Sequence, residues 1–110
     1  MTMNDGAPLG TFEEQVMLAV LRTAEEAYGM NVRRELERVT GRDVAIGAVY
    51  ATLDRLEAKG LVASSRAGDG AASRRFFAVT APGGRALAES RTMRERLWEG
   101  VDLRPLLALS

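Results

Sequence analysis

The chain reads as a mainly α fold with one small β-wing, and three observations carry that reading. Residues 11–26, 30–40 and 45–59 each place apolar side chains at helical spacing. Two strand-like runs, 61–66 and 74–79, flank a connection rich in glycine and small residues. A further striped stretch follows Thr80, a residue suited to cap a helix, with Pro82 tolerated in the first turn. At 110 residues the expectation is one domain, and 46% hydrophobic against 27% charged residues suffices for a core.

Taken in order, residues 1–10 form a polar segment with Gly and Pro, expected to be disordered. Thr11-Phe12-Glu13-Glu14 fits a capping box, with Thr11 as cap and Glu14 reaching back. The first helix buries Phe12, Val16, Ala19 and Val20, with Met17, Leu18 and Leu21 widening the stripe enough to suggest a second surface for a partner. A second helix, Met30 to Thr40, turns Val32, Leu36 and Val39 inward and Arg33, Arg34, Glu37 and Arg38 outward, and Gly41 ends it. Arg42 to Ile46 has room for a strand stub.

The third helix, Ala45 to Lys59, organises the rest. Ile46, Val49, Leu53 and Leu56 make its apolar stripe. Ala48, Tyr50, Ala51, Thr52, Arg55 and Lys59 are read as the opposite face, small and hydroxyl-bearing first and cationic last, as a helix entering a DNA groove requires. Gly60 closes it. The two strands that follow, with the connection Ala67 to Ser73 and then Arg74-Arg75, make a wing. Arg74 and Arg75 alternate faces, so one is expected on DNA and the other on an acid; Phe76 and Phe77 are expected to split, one into the core and one toward a neighbouring helix. The last helix, within 81–104, carries Ala86, Ser90, Met93 and Leu97 at four-three-four spacing beside Trp98 and Val101, which reads as a dimer seam. Arg104-Pro105 stops it, leaving 105–110 as a tail. Helix, helix, stub, helix, strand, wing, strand, helix is the order of a winged helix-turn-helix, here residues 11–80, plus a C-terminal dimerisation helix.

Composition narrows the function. The absence of Cys and His removes disulfides, thiolates, the common zinc ligands and the usual general base, so no enzyme, metal or cofactor is expected. The longest apolar run, Val16 to Leu21, is far short of a membrane span, and a soluble cytoplasmic protein is the expectation. Net charge is zero, but residues 30–78 hold nine cations against six acids while residues 1–29 hold one against five. The modest basic excess thus surrounds the third helix.

Tyr28-Gly29-Met30-Asn31-Val32, the run from Gly47 to Val62, and Arg74-Arg75-Phe76-Phe77-Ala78-Val79-Thr80-Ala81-Pro82-Gly83 together resemble the PadR family of bacterial transcriptional regulators, over roughly residues 10 to 100. Ala27-Tyr28 precedes Gly29 where the family usually has a His before its Gly-Tyr, Met30 takes the usual Tyr position, and Ala51 stands where Pro commonly follows the recognition-helix tyrosine. The resemblance implies a homodimeric repressor reading double-stranded DNA, with Tyr50 on the DNA side of the recognition helix, Arg74-Arg75 on the wing side, and first and last helices at the dimer interface. It also implies a planar aromatic effector for some members. Phe12, Val16, Met93, Leu97 and Trp98 are the candidates for that interface or effector site, Trp98 as either dimer anchor or stacking plate. The alternative is a winged-helix protein-interaction module that binds no DNA.

Overall fold

A computed structural model describes residues 8–70 and 73–109. The elements run α1 (Thr11–Thr23), a 3-10 turn (Ala24–Glu26), α2 (Gly29–Thr40), α3 (Ile46–Ala58), β1 (Val62–Ala67), β2 (Arg74–Val79), α4 (Ala81–Trp98) and a short α5 (Arg104–Leu107). β1 and β2 pair antiparallel, Val62 opposite Val79 and Ala67 opposite Arg74. The first seven residues of the expected N-terminal segment, and Ala71 and Ala72 of the wing, lie outside the described residues.

One core joins α1, α2, α3 and the hairpin: Val16, Met17, Val20, Val32, Leu36, Val49, Leu53, Leu56, Val62 and Phe77 are buried together. Burial of this set is the main driving force for the three-helix packing. The stripes behave as expected at most positions. Val39, read as inward, is 54% exposed, lining an open groove with Leu18 and Leu21 of α1 rather than entering the core. Val16, proposed for an interface, is fully buried inside its own core, and Phe12 packs half-buried on the same cluster.

Element ends explain themselves locally. The cap of α1 is Gly10 rather than Thr11: the Gly10 amide donates to Glu13 Oε1 at 2.9 Å, so the reciprocal carboxylate is Glu13, one residue earlier than read. Gly41 closes α2 at φ 72°. Gly60, at φ 77°, closes α3 in a Schellman turn, its amide donating to Glu57 O and that of Leu61 to Leu56 O. The strand stub expected at 42–46 is not formed. The isolated bridge comes instead from Tyr28, opposite Phe76, with the Phe77 amide donating to Ala27 O at 2.9 Å.

α4 seats on that Schellman turn. The Thr80 hydroxyl donates to Gly60 O at 2.7 Å and accepts from the Gly83 amide at 3.1 Å. Gly83 is a close-approach glycine: a Cβ there would stand 2.0 Å from the Leu61 carbonyl oxygen. From this seat α4 passes α1, where Arg94 pairs with Glu14 and Leu87 is buried. It ends at Trp98, short of the expected Arg104, because Gly100 adopts φ 78° and breaks the helix before the proline.

Candidate nucleic-acid interface

α3 is held by its apolar stripe and leaves Gly47, Ala48, Tyr50, Ala51, Asp54, Arg55, Ala58 and Lys59 exposed. Thr52 is corrected: it is 2% exposed. It stands three residues after Val49 and four before Leu56, so it belongs to the buried stripe, and its hydroxyl accepts from Arg55 at 3.2 Å.

Tyr50 lies on the opposite flank of α3, 38% exposed, with its ring over the start of α2. A Cβ on Gly29 would come within 2.3 Å of that ring. Gly29 is therefore the seat of Tyr50. Beside it opens a cleft of about 440 Å³ between the α2 start, α3 and the wing, lined by Tyr28, Arg34, Tyr50, Arg66, Arg74 and Arg75 among others. The Arg74 guanidinium stacks 4.3 Å above the Tyr28 ring, and Tyr28 meets Phe76 edge-on at 5.7 Å. Phe77 goes to the core and Phe76 to this stack, as alternation requires.

The cations expected on DNA fall into two groups. Lys59 donates to Glu13 Oε2 at 2.9 Å and Arg55 lies 4.0 Å from the same oxygen, so both lean toward α1 rather than outward. Burial raises the Glu13 carboxyl, but the Gly10 amide and Lys59 more than offset it and hold the pKa below its usual value. Arg75 pairs with Asp54 at 3.0 Å and Glu57 at 2.5 Å. Burial disfavours its charge, while those carboxylates favour it more, and its pKa rises. Arg34, Arg66 and Arg74, by contrast, have no acidic partner among the described residues, and all three line the cleft. Arg66 was missed in the sequence because a lone arginine in a strand carries no signal until β-pairing places it opposite Arg75.

On α4, Ala86 and Ser90 are half-buried, whereas Met93, Leu97 and Trp98 are 54%, 70% and 56% exposed. Leu18 and Leu21 of α1 are also exposed, so both helices carry large apolar side chains left uncovered in the single chain. A groove of about 600 Å³ runs between α1 and α4, lined in part by Leu18, Leu21, Leu87 and Ala88. No helix is long and apolar enough to cross a membrane, and no group of metal-ligating side chains occurs among the described residues.

A family model described as the transcriptional regulator PadR-like family matches residues 17–89. Among solved structures, the chain is similar to a PadR-like transcription factor from bacteroid fragilis, with 25% identity, 82% of this chain and 85% of that one covered, and a TM-score of 0.72. A PadR family transcriptional regulator from Eggerthella lenta DSM 2243 shares 30% identity over 77% of this chain and 75% of its own, at a TM-score of 0.66. The protein in the complex structure of hsRosR-S4 shares 25% identity over 94% and 86%, at a TM-score of 0.64. No curated protein matches.

Proposed function

The chain belongs to the PadR-like family of DNA-binding transcriptional regulators, and from that premise we propose that it is a homodimeric repressor reading an inverted-repeat operator. The observation that carries this is the exposed Tyr50 on α3 beside three uncompensated arginines, Arg34, Arg66 and Arg74, in one cleft. Tyr50, Ala48 and Ala51 approach base edges in the major groove; the small side chains allow close contact. Arg34 from α2, with Arg66 and Arg74 from the wing, takes phosphates on either side. The dimer forms along Met93, Leu97 and Trp98 of α4 with the Leu18–Leu21 face of α1, which sets two α3 helices about one DNA turn, roughly 34 Å, apart. An aromatic effector, where one binds, stacks on Trp98 in that seam.

The test is a duplex selected from a random pool, followed by titration at several salt concentrations. Tyr50→Ala and Arg74→Ala weaken binding with unchanged melting, and Arg74→Ala lowers the salt slope by about 0.9, one phosphate. Thr52→Ala, being buried, lowers melting instead. Failure to select any duplex at low salt supports the protein-interaction reading, to which the apolar α1–α4 face is equally suited.

A further inference from the structure

The wing arginine that faces α3 meets a partner from its own chain at each of its nitrogens. Arg75 Nε donates to Ser64 Oγ at 3.2 Å, one terminal nitrogen meets Asp54 Oδ1 at 3.0 Å, and the other donates to Glu57 Oε1 at 2.5 Å. Its guanidinium plane lies 4.8 Å above the Phe77 ring. Every nitrogen of the fork has a partner, and one face is covered. Glu57 is equally occupied: its second oxygen accepts from the Ser64 hydroxyl at 2.8 Å and the Ser64 amide at 3.2 Å. β1 and β2 are therefore both tied to one carboxylate on α3. An isolated surface ion pair contributes little, but a shared network with a planar, multidentate arginine is the geometry in which such contacts hold an orientation.

Position makes the network functional. Asp54 is 59% exposed on α3, one turn from Tyr50, where a bare carboxylate would face phosphates. Arg75 neutralises it. The same contacts fix the angle between α3 and the hairpin that carries Arg66 and Arg74, and hence the phase between groove contact and phosphate contact.

We infer that Glu57, Asp54 and Arg75 are positioning residues that lock wing and recognition helix into one reading head, and that Arg75 itself takes no phosphate. The inference rests on the DNA-reading function proposed above. It predicts a sign opposite to simple electrostatics. Glu57→Ala removes a negative charge and keeps a helix former, so charge alone strengthens DNA binding.

The experiment measures wild type, Glu57→Ala, Arg75→Met and Arg74→Ala against the wild-type-selected duplex and a scrambled duplex of equal length, over a salt series, with amide exchange at Ser64. For Glu57→Ala the selected duplex binds about tenfold more weakly, the scrambled duplex binds as well or better, and the Ser64 amide exchanges faster. Partial unfolding lowers both affinities in proportion, so the fallen ratio separates positioning from mere stability. Arg75→Met reproduces that ratio with the wild-type salt slope. Tighter binding of both duplexes by Glu57→Ala, an unchanged Ser64 exchange rate, or a slope loss in Arg75→Met equal to that of Arg74→Ala overturns the inference. Should wild type select no duplex, the DNA reading falls, and Ser64 exchange in the two variants still decides whether the lock exists.

Discussion

Replacing Gly29 with alanine separates folding from reading at a single carbon. The added Cβ would lie 2.3 Å from Tyr50 Cζ and 2.4 Å from its hydroxyl oxygen. An ordinary contact needs at least 3.4 Å, so the ring must retreat by roughly 1 Å or more, and a half-exposed tyrosine can do so by leaving its rotamer. That strain costs about 0.5–1.5 kcal/mol. Alanine in place of glycine at a helix start returns up to about 1 kcal/mol. The two nearly cancel, so thermal unfolding of Gly29→Ala stays within a few degrees of wild type. Operator affinity does not cancel if the displaced ring is, as proposed, the one that approaches the groove; about tenfold weakening is expected, close to that of Tyr50→Ala. The double variant is then no weaker than Tyr50→Ala alone, since both act through one ring. Fluorescence anisotropy on a selected duplex measures it. Full affinity in Gly29→Ala, or additive losses in the double variant, refutes the claim that Gly29 acts by seating Tyr50.

Three further outcomes follow from packing and charge. Gly83→Ala sets its Cβ against the Leu61 carbonyl, a backbone atom that cannot retreat as a side chain can, so calorimetry should show a loss of about 2–3 kcal/mol. Leu97→Glu places charge on the proposed α4 seam and is expected to convert the proposed dimer to monomers in sedimentation, with the melting of the core retained; an unchanged mass refutes the seam. Bonds from Arg38 and then Arg22 hold the Glu35 carboxyl down at about 2. A depressed carboxyl contributes stability above its unfolded value, lost as pH falls from about 4.5 toward 2. Wild type should therefore lose more stability over that window than Glu35→Gln, in pH-resolved denaturant melts.

What could be read in the sequence was what depends on local periodicity. The α1, α2 and α3 stripes, the glycine ends at Gly41 and Gly60, the Thr80 cap and the split of Phe76 and Phe77 all follow from spacing and turn chemistry within a few residues. What escaped depends on contacts across the chain. Thr52 is legible from spacing, since it sits at i+3 from Val49 and i−4 from Leu56, and its hydroxyl, a group usually met at the surface, is buried there all the same. The partners of Arg55, Lys59 and Arg75 were not legible: Glu13 is 46 residues from Lys59, and only the folded α1–α3 contact brings them together. The strand stub expected at 42–46 does not form, and the bridge to β2 comes instead from Ala27 and Tyr28, far from Phe76 and Phe77 in the chain and brought there only by folding.

The sorting of cations into paired and free also resolves how a chain of zero net charge binds a polyanion. Beyond a Debye length of about 8 Å, exposed charges are screened at physiological ionic strength, so the total matters less than what stands within reach of phosphate. Glu13 consumes the charge of Lys59 and part of that of Arg55 on one flank of α3, and Asp54 and Glu57 consume that of Arg75 near the wing. What remains near Tyr50 is Arg34, Arg66 and Arg74. Three free arginines imply a salt slope of about −2.7 per subunit, and about twice that for a dimer. A slope near −5 on the selected duplex matches this set alone. A slope near −10 requires Arg55, Lys59 and Arg75 to break their ion pairs and turn to DNA, and in that case the acids described here are a reserve that binding opens rather than a frame that holds the reading head.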